Sequence, residues 1–405
     1  MMYSYEKVYD EINNARRFGN QPGVEVTAAM LDILGHPERG IPFIHVAGTN
    51  GKGSTCAFLT DCLMAMGEKV GTFTSPHLID FEERIMVNRR MIGREDVTRI
   101  GSQLLETAFP IAPTMFDYCL AMALIYFREQ KCSVMVIETG LGGRLDSTNA
   151  IGTPSAAVIT KIGLDHTAIL GETLEEIAEE KAGIMKRGCP VITQRQEAGA
   201  LEILRSHYEK VNGNRQDFWV LTDEQIRETA GINLRLPGVH QWENAACALA
   251  AVRRLYPNAG NLSPVLAQTG WMGRMELIQE DPFFMVDGAH NAHGVAALAQ
   301  SLRQLYPGEK FHFFMAVMAD KDYPDMIGEL LPLALDFTTY TPESSRALQG
   351  EQLAAFIRTR GVEAKACEDP RSFLRHLPRG ERTVAFGSLY FVGDILEIFR
   401  EKQDR

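Results

Sequence analysis

Short apolar runs alternate with stretches of helical periodicity along most of the chain. The runs at 41–47, 69–73, 132–138, 155–160 and 189–192 read as buried strands. Helical spacing covers 54–66, 94–108, 114–129, 173–185 and 241–255. Two further helices precede the series, at 5–17 and 24–35, joined through Gly19-Asn20-Gln21-Pro22-Gly23. Apolar strands separated by helices predict a parallel sheet with helices on both faces. Between 258 and 273, Pro, Asn and Gly signals flank a short helical stretch, and a domain boundary is expected there. A second α/β series follows, with strands 283–287, 311–317, 334–340 and 382–387 and helices 291–304, 350–360 and 389–400. The expected fold class is α/β with two domains, 1–270 and a smaller Rossmann-like domain over 274–405.

Composition narrows the classes. With 405 residues, 45% hydrophobic and 23% charged, the chain has the balance of a globular protein with room for two or three domains. A net charge of −11, spread along the sequence, argues against a nucleic-acid-binding surface. The charged stretch Met1 to Glu11 lacks the apolar core of a signal peptide, and no run is long enough to span a membrane. The seven cysteines (56, 62, 119, 132, 189, 247 and 367) are scattered and form no CxxC pair. Reduced thiols in the cytoplasm are expected, not a disulfide frame or a zinc site.

The densest chemistry lies at the first strand–helix junction. The apolar run from Ile41 ends in Gly48-Thr49-Asn50-Gly51-Lys52-Gly53-Ser54, and a helical pattern follows. Glycines let backbone N–H groups close around anionic oxygens, Lys52 adds a point charge, and the helix N-terminus adds its dipole. A nucleoside triphosphate is the expected ligand. The loop departs from G-x-x-x-x-G-K-[ST]: Val46 stands at the first Gly position, and Gly53 separates Lys52 from Ser54. The shortened G-T-N-G-K-G-S form resembles the loop of the Mur ligase superfamily, whose members join an amine to a carboxylate using ATP.

Other candidates follow apolar strands. Glu138 closes Val134-Met135-Val136-Ile137 and precedes Thr139-Gly140-Leu141-Gly142-Gly143. Ligands of parallel sheets bind at the carboxyl ends of strands, so this acid suits Mg²⁺ beside a triphosphate; it also suits a cap on the next turn. His166, after Val158-Ile159-Thr160-Lys161-Ile162-Gly163-Leu164-Asp165, reads either as structural or as a metal ligand. Ser75, in Thr74-Ser75-Pro76-His77-Leu78, is able to aim an oxygen at a cation. Lys181 ends an acidic helical stretch, whose bland reading is a solvated face with i,i+4 ion pairs. Ile177 and Ile184 mark an apolar face on the side of Lys181.

Taken in order, these segments and others resemble one family. Phe18-Gly19 with Pro22-Gly23, the loop 48–54, Ser75-Pro76-His77-Leu78 and Glu83-Arg84-Ile85 come first. Glu138-Thr139-Gly140-Leu141-Gly142-Gly143-Arg144-Leu145-Asp146, Gly163-Leu164-Asp165-His166 and Glu180-Lys181-Ala182-Gly183-Ile184 follow. Then come Gly238-Val239-His240-Gln241 with Asn244-Ala245-Ala246, Gly273-Arg274, Asp287-Gly288-Ala289-His290-Asn291, Asp320-Lys321-Asp322 and Gly387-Ser388-Leu389-Tyr390. Together they look like the folylpolyglutamate synthase/dihydrofolate synthase family, over nearly the whole chain.

The resemblance implies a Mur-ligase-type ATPase domain and a second domain contributing to the ATP and glutamate sites. It implies ATP contacts at Thr49, Asn50, Gly51, Lys52, Gly53, Ser54, Asn244, Arg274 and Asp287, with Arg274 on phosphate and Asp287 on ribose. Mg²⁺ ligands are implied at Ser75, Glu138 and His166, and an N-carboxylated Lys181 at a second Mg²⁺. A monovalent cation is a further expected cofactor. Lys52, Lys181 and His290 are the implied catalytic residues; Phe116 and Ser388 lie on the folate and glutamate side. Position 292 is Ala where the family often has Pro. In Ala112-Pro113-Thr114-Met115-Phe116-Asp117, which resembles the pteroate-side loop, Met115 and Asp117 stand where other residues are common.

The expected reaction joins L-glutamate to dihydropteroate, a reduced folate, or both, in a monomer without nucleic-acid or membrane partners. A UDP-muramyl ligase is the nearest rival; only 47 residues precede Gly48, too few for its nucleotide-sugar domain. A nucleotide-gated binding protein is the rival from another class, and it would not need His166 and Lys181.

Overall fold

The computed structural model describes residues 3–15 and 23–403. The end of the first expected helix, Phe18-Gly19, and Pro22 lie outside the described residues.

The chain divides into two compact units. The first runs to Asn233 and resumes over Trp242–Thr269; the second comprises Leu234–Gln241 and Gly270–Arg405.

The first unit holds β1 (Phe43–Ala47), β2 (Val70–Phe73), β3 (Ile85–Val87), β4 (Arg90–Met91), β5 (Val134–Glu138), β6 (Ala156–Ile159), β7 (Val191–Thr193) and β8 (Phe218–Val220). Their order across the sheet is β4-β3-β2-β5-β1-β6-β7-β8. The run β2-β5-β1-β6-β7-β8 is parallel throughout. The five expected strands are parallel, and the sheet gains at one edge two strands the sequence reading did not name, β3 antiparallel with β2 and β4 antiparallel with β3. These strands have three and two residues, and β4 is exposed, so no apolar run announces them.

Two cores cover the parallel strands because their side chains are apolar on both faces. On one side, Phe73, Met135 and Ile137 pack with Val8, Met30, Ile100, Leu120 and Phe127 from the helices Tyr5–Asn13, Gly23–Leu34, Arg94–Glu106 and Met115–Glu129. On the other, Ala47, Ala157, Ile159 and Val191 pack with Ile177, Ala182 and Leu204 from Leu174–Ala182 and Ala198–Asn212. Fully burying one such aromatic or aliphatic side chain contributes about 1.5–3 kcal/mol.

The second unit holds β9 (Glu276–Gln279), β10 (Phe283–Val286), β11 (Phe311–Met315), β12 (Ala334–Tyr340), β13 (Ala364–Cys367) and β14 (Arg382–Phe386). The order is β13-β12-β11-β14-β10-β9, parallel except for β9 against β10. Its core is aromatic: Phe311, Phe313, Phe337 and Phe386 are nearly inaccessible. No helix among the described residues is long and apolar enough to cross a membrane. All seven cysteines are free thiols, six of them buried.

Candidate functional site

Strand order in the first unit decides which residues meet. β1 pairs with β5 on one side and β6 on the other, with Val46 opposite Glu138 and Ala47 opposite Ile159. The ends of these strands therefore bring Glu138, the loop from Gly48 and the Thr160–Gly163 segment to one edge. β2 lies on the far side of β5 and delivers Ser75, whose N–H donates to Glu138 Oε2 at 3.2 Å. Such an edge, where neighbouring connections diverge, is where α/β sheets bind ligands.

Close backbone contacts shape the loop. A Cβ on Gly48 would lie 1.8 Å from Thr160 Oγ1, so only glycine fits against β6. Gly51 has φ 89°, and a Cβ there would meet Asn244 Oδ1 at 2.4 Å. Gly51 caps the helix Lys52–Ala65, whose first turn carries Gly53 and Ser54. The N–H groups of Thr49 and Asn50 donate to the Lys161 carbonyl, at 2.9 and 3.2 Å, and tie the loop to the segment after β6. Thr49 Oγ1 bonds Gly163 in both directions, at 3.0 and 3.1 Å. Buried Asn244 accepts from Gln194 Nε2 at 2.7 Å.

The charged groups converge on one carbonyl. Lys52 Nζ donates to Gly48 O at 3.2 Å and Thr49 O at 3.3 Å, and lies 4.0 Å from Glu138 Oε1. Lys181 Nζ donates to the same Gly48 O at 2.9 Å. Lys181 is only 3% exposed, so the solvated-face reading of its helix does not hold at this position. Burial, and then the nearby Lys52 ammonium, push its pKa down to about 7.

His166 behaves differently. Its backbone is left-handed (φ 51°), it caps the short turn Thr167–Leu170, and its side chain is exposed. Phe116 is partly buried against the core: its ring centroid is 5.5 Å from that of Phe73, and a Cβ on Gly140 would touch the ring at 2.7 Å.

Oxygen donors dominate the edge. Among the described residues, no three or more His, Cys, Asp or Glu side chains gather as a metal-binding group. Mg²⁺ does not need such a cage, because it keeps waters and takes one or two carboxylates plus substrate phosphates. Glu138 is nearly buried, and the buried hydroxyls of Ser54 and Thr55 have no hydrogen-bond partner. A buried hydroxyl without a partner is costly, and a bound cation or phosphate would satisfy it. The donor set fits Mg²⁺.

In the second unit, Asp287 follows β10 and is buried. Its Oδ2 accepts from Met275 N and its Oδ1 from Ala289 N, both at 2.8 Å. Burial raises its pKa, against the pull of the Arg274 guanidinium. A Cβ on Gly288 would lie 1.8 Å from Arg274 Nη1, so that guanidinium crosses directly over the Asp287–Gly288 backbone. His290 Nδ1 is 2.8 Å from Gly288 O, which fixes the protonated nitrogen as Nδ1. Asn291 caps the helix Ala292–Leu305, so the first helical position is Ala292, where Pro is also tolerated. The Gly387 N–H donates to Ala289 O at 2.9 Å, which sets buried Ser388 beside this turn.

Glu83 and Asp146 stand in the sequence motifs without an assigned role, and the structure shows that they hold these loops. Glu83 accepts the N–H groups of Leu78, Ile79 and Asp80 at 2.7–2.8 Å and folds the turn after Ser75. The spacing of Asp80 and Glu83 is a capping-box signal that was available. Asp146 accepts from Leu141 N at 2.8 Å and Thr148 N at 3.0 Å, and closes the glycine-rich turn after Glu138.

A glycine-rich cradle at the carboxyl edge of a parallel sheet, beside a buried carboxylate and two lysines, defines a phosphate-binding α/β enzyme. Residues 46–252 match the Mur ligase middle domain, and residues 273–388 match the Mur ligase glutamate ligase domain. The dihydrofolate synthase/folylpolyglutamate synthase of Bacillus subtilis (strain 168) is 36% identical, over 98% of this chain and 99% of that protein. A folylpolyglutamate synthase from Mycobacterium tuberculosis, solved in complex with ADP, superposes with a TM-score of 0.84 at 28% identity, covering 98% of both chains. Escherichia coli FolC, solved with DHPP and ADP, gives 0.83 at 26% identity over 99% of both chains. The chain belongs to the folylpolyglutamate synthase/dihydrofolate synthase family of Mur ligases.

Proposed function

We propose that the chain uses ATP to join L-glutamate to a folate carboxylate, with dihydropteroate, a reduced folate, or both as acceptor. The observation that carries this reading is the meeting of the glycine-rich loop, Glu138 and Lys181 at one sheet edge. The relatives' names support it, as do the ADP and DHPP held by the solved E. coli protein.

In the proposed reaction an oxygen of the acceptor carboxylate attacks the γ-phosphorus of ATP. The bond to the bridging oxygen breaks, leaving an acyl phosphate and ADP. The glutamate α-amine then attacks the acyl carbon, phosphate leaves, and the amine gives up a proton to form the amide. Lys52 neutralises charge on the transferring phosphoryl group, and the N-terminus of Lys52–Ala65 faces the same oxygens. Glu138, Ser54 and Ser75 would hold Mg²⁺, and His166 and an N-carboxylated Lys181 complete the proposed ligand set. Mg²⁺ supplies Lewis-acid neutralisation of the phosphate charge. Asn244 would contact the adenine, Arg274 the phosphates and Asp287 the ribose. His290 and Ser388 would serve the glutamate end, and Phe116 the pteridine side.

The deciding measurement is ADP release by purified protein, with dihydropteroate and tetrahydrofolate tested separately, each with and without L-glutamate. ADP release that needs both an acceptor and glutamate supports the reading; release indifferent to both sinks it.

Two predictions bear on the proposed contacts. Glu138→Gln and His166→Ala should each shift the Mg²⁺ activation curve to higher concentration. Gln keeps the size of the buried Glu138 side chain and removes its charge, while His166 is exposed enough for Ala to leave the fold intact. Unchanged curves for both variants would move the metal elsewhere. Arg274→Ala and Asp287→Ala should raise the KM for ATP at least tenfold with smaller effects on the other substrates; equal KM values for ATP would remove both from the nucleotide.

A further inference from the structure

Asp117 is a fully buried acid that none of the proposed catalytic steps uses. It stands in the first turn of the helix Met115–Glu129 and closes a capping box with Thr114. Its Oδ2 accepts from the Thr114 N–H at 2.8 Å and the Thr114 hydroxyl at 2.7 Å. Its Oδ1 accepts from the Thr27 hydroxyl at 2.9 Å and the Ser147 hydroxyl at 2.5 Å. One side chain thus gathers three segments distant in sequence. These are the helix Gly23–Leu34, the Thr114–Phe116 turn, and the Ser147–Ile151 turn that ends the glycine-rich loop after Glu138.

A cap alone needs only the Thr114 pair. The two extra hydroxyls lie 90 and 30 residues away and fill the other carboxylate oxygen. What they fix is the adjacent residue. The Phe116 ring is wedged between Phe73, at the end of β2, and Gly140, which leaves no room for a Cβ beneath the ring. Phe73 leads to Ser75 and Gly140 follows Glu138, so the ring stands between the two strand ends that carry the proposed cation ligands. A shift of the Thr114–Asp117 turn would move the ring relative to both.

We infer that Asp117 is a positioning residue for the acceptor: by tying the Phe116 turn to the loop after Glu138, it sets the fit of the aromatic acceptor without touching it. The inference rests on the folate-ligase reading above. A carboxylate at this position accepts four hydrogen bonds. An amide offers only one accepting oxygen: to keep the Thr114 pair it must turn its NH₂ to the Thr27 and Ser147 hydroxyls, so that both of those bonds reverse direction and the carboxylate charge is lost.

The test is steady-state kinetics on Asp117→Asn, Ser147→Ala and Thr27→Val, with dihydropteroate or tetrahydrofolate, ATP and glutamate varied in turn, and thermal unfolding measured alongside. Asp117→Asn should raise the KM for the acceptor tenfold or more while the KM values for ATP and glutamate stay within twofold. Ser147→Ala and Thr27→Val each remove one donor and should raise the acceptor KM about threefold, which keeps the idea testable if Asp117→Asn fails to fold. Asp117→Glu restores the charge and should recover more of the acceptor affinity than Asn does. An unchanged acceptor KM in the folded variants overturns the assignment, as does a common rise of all three KM values. Wild-type protein that releases no ADP with acceptor and glutamate fails earlier, and overturns the ligase reading together with this one.

Discussion

Lys52→Ala is expected to fold and to release ADP at least a hundredfold more slowly than the wild type. Removing one preorganised charge stabiliser from a phosphoryl-transfer site costs ~3 kcal/mol or more, by analogy with oxyanion donors, and ~3 kcal/mol is roughly a hundredfold in rate. The fold should survive because Lys52 carries little of it. Its ammonium lies over its own loop, on Gly48 O and Thr49 O, and Gly48 O keeps the Lys181 amine as a second donor. The loop itself is held from elsewhere, by the Lys161 carbonyl, by Thr49 with Gly163, and by the glycine contacts with Thr160 and Asn244. Lys52→Arg should not restore the rate, since a planar guanidinium does not replace a compact ammonium in a tight turn. The measurement is kcat beside the unfolding temperature. A near-normal kcat for Lys52→Ala would end the phosphate-loop reading.

The sequence made some of this legible for a definite reason. The loop Gly48–Ser54 concentrates its chemistry in seven adjacent positions, so strand, glycines, lysine and helix are read together. The buried parallel strands were equally plain, because β1, β5 and β6 are apolar at nearly every position. Strands at the margins were not: β3, β4 and β8 are two or three residues long, and β8 and β13 are partly or largely exposed. No hydrophobic period marks a strand whose faces both see water. The tertiary knots were invisible in the same sense. The Asp117 bonds to Thr27 and Ser147 depend on which helix crosses which turn, and neither residue type nor spacing announces that. The helix before Ala182 carried two signals, and the apolar face of Ile177 and Ile184 on the side of Lys181 is the one the structure follows. Four acids around Lys181 suggest a solvated surface, yet the amine faces inward, because Ile177 and Ala178 turn that side of the helix to the sheet.

Lys181→Ala is expected to be inactive, and to regain part of its rate with a short added carboxylate such as acetate. Two lysine nitrogens share the Gly48 carbonyl, and two ammonium ions on one acceptor repel. Lys181 is the more deeply buried of the two, and its pKa of about 7 means the neutral amine is well populated near neutral pH. The sign matters here. A base whose native pKa is lowered is protonated more in the unfolded chain between about 7 and its ordinary value. Its burial therefore costs stability that is regained as pH rises through that window. A neutral amine in this setting is the form that reacts with CO₂, forming an N–C bond and releasing one proton to give a carbamate anion. The product reverses the electrostatics: an anion now stands beside the Lys52 ammonium, and its two oxygens are the hard donors Mg²⁺ prefers. Alanine removes both the carbamate and the buried charge, so Lys181→Ala should unfold at no lower temperature than wild type at pH 7, which separates lost chemistry from lost fold. Acetate in the vacated space supplies a carboxylate without the tether, hence partial rescue, while chloride at equal ionic strength should do nothing. Activity equal to wild type in Lys181→Ala would sink the carbamate assignment. So would a high-resolution map of the ATP-bound protein with a plain ammonium at this position.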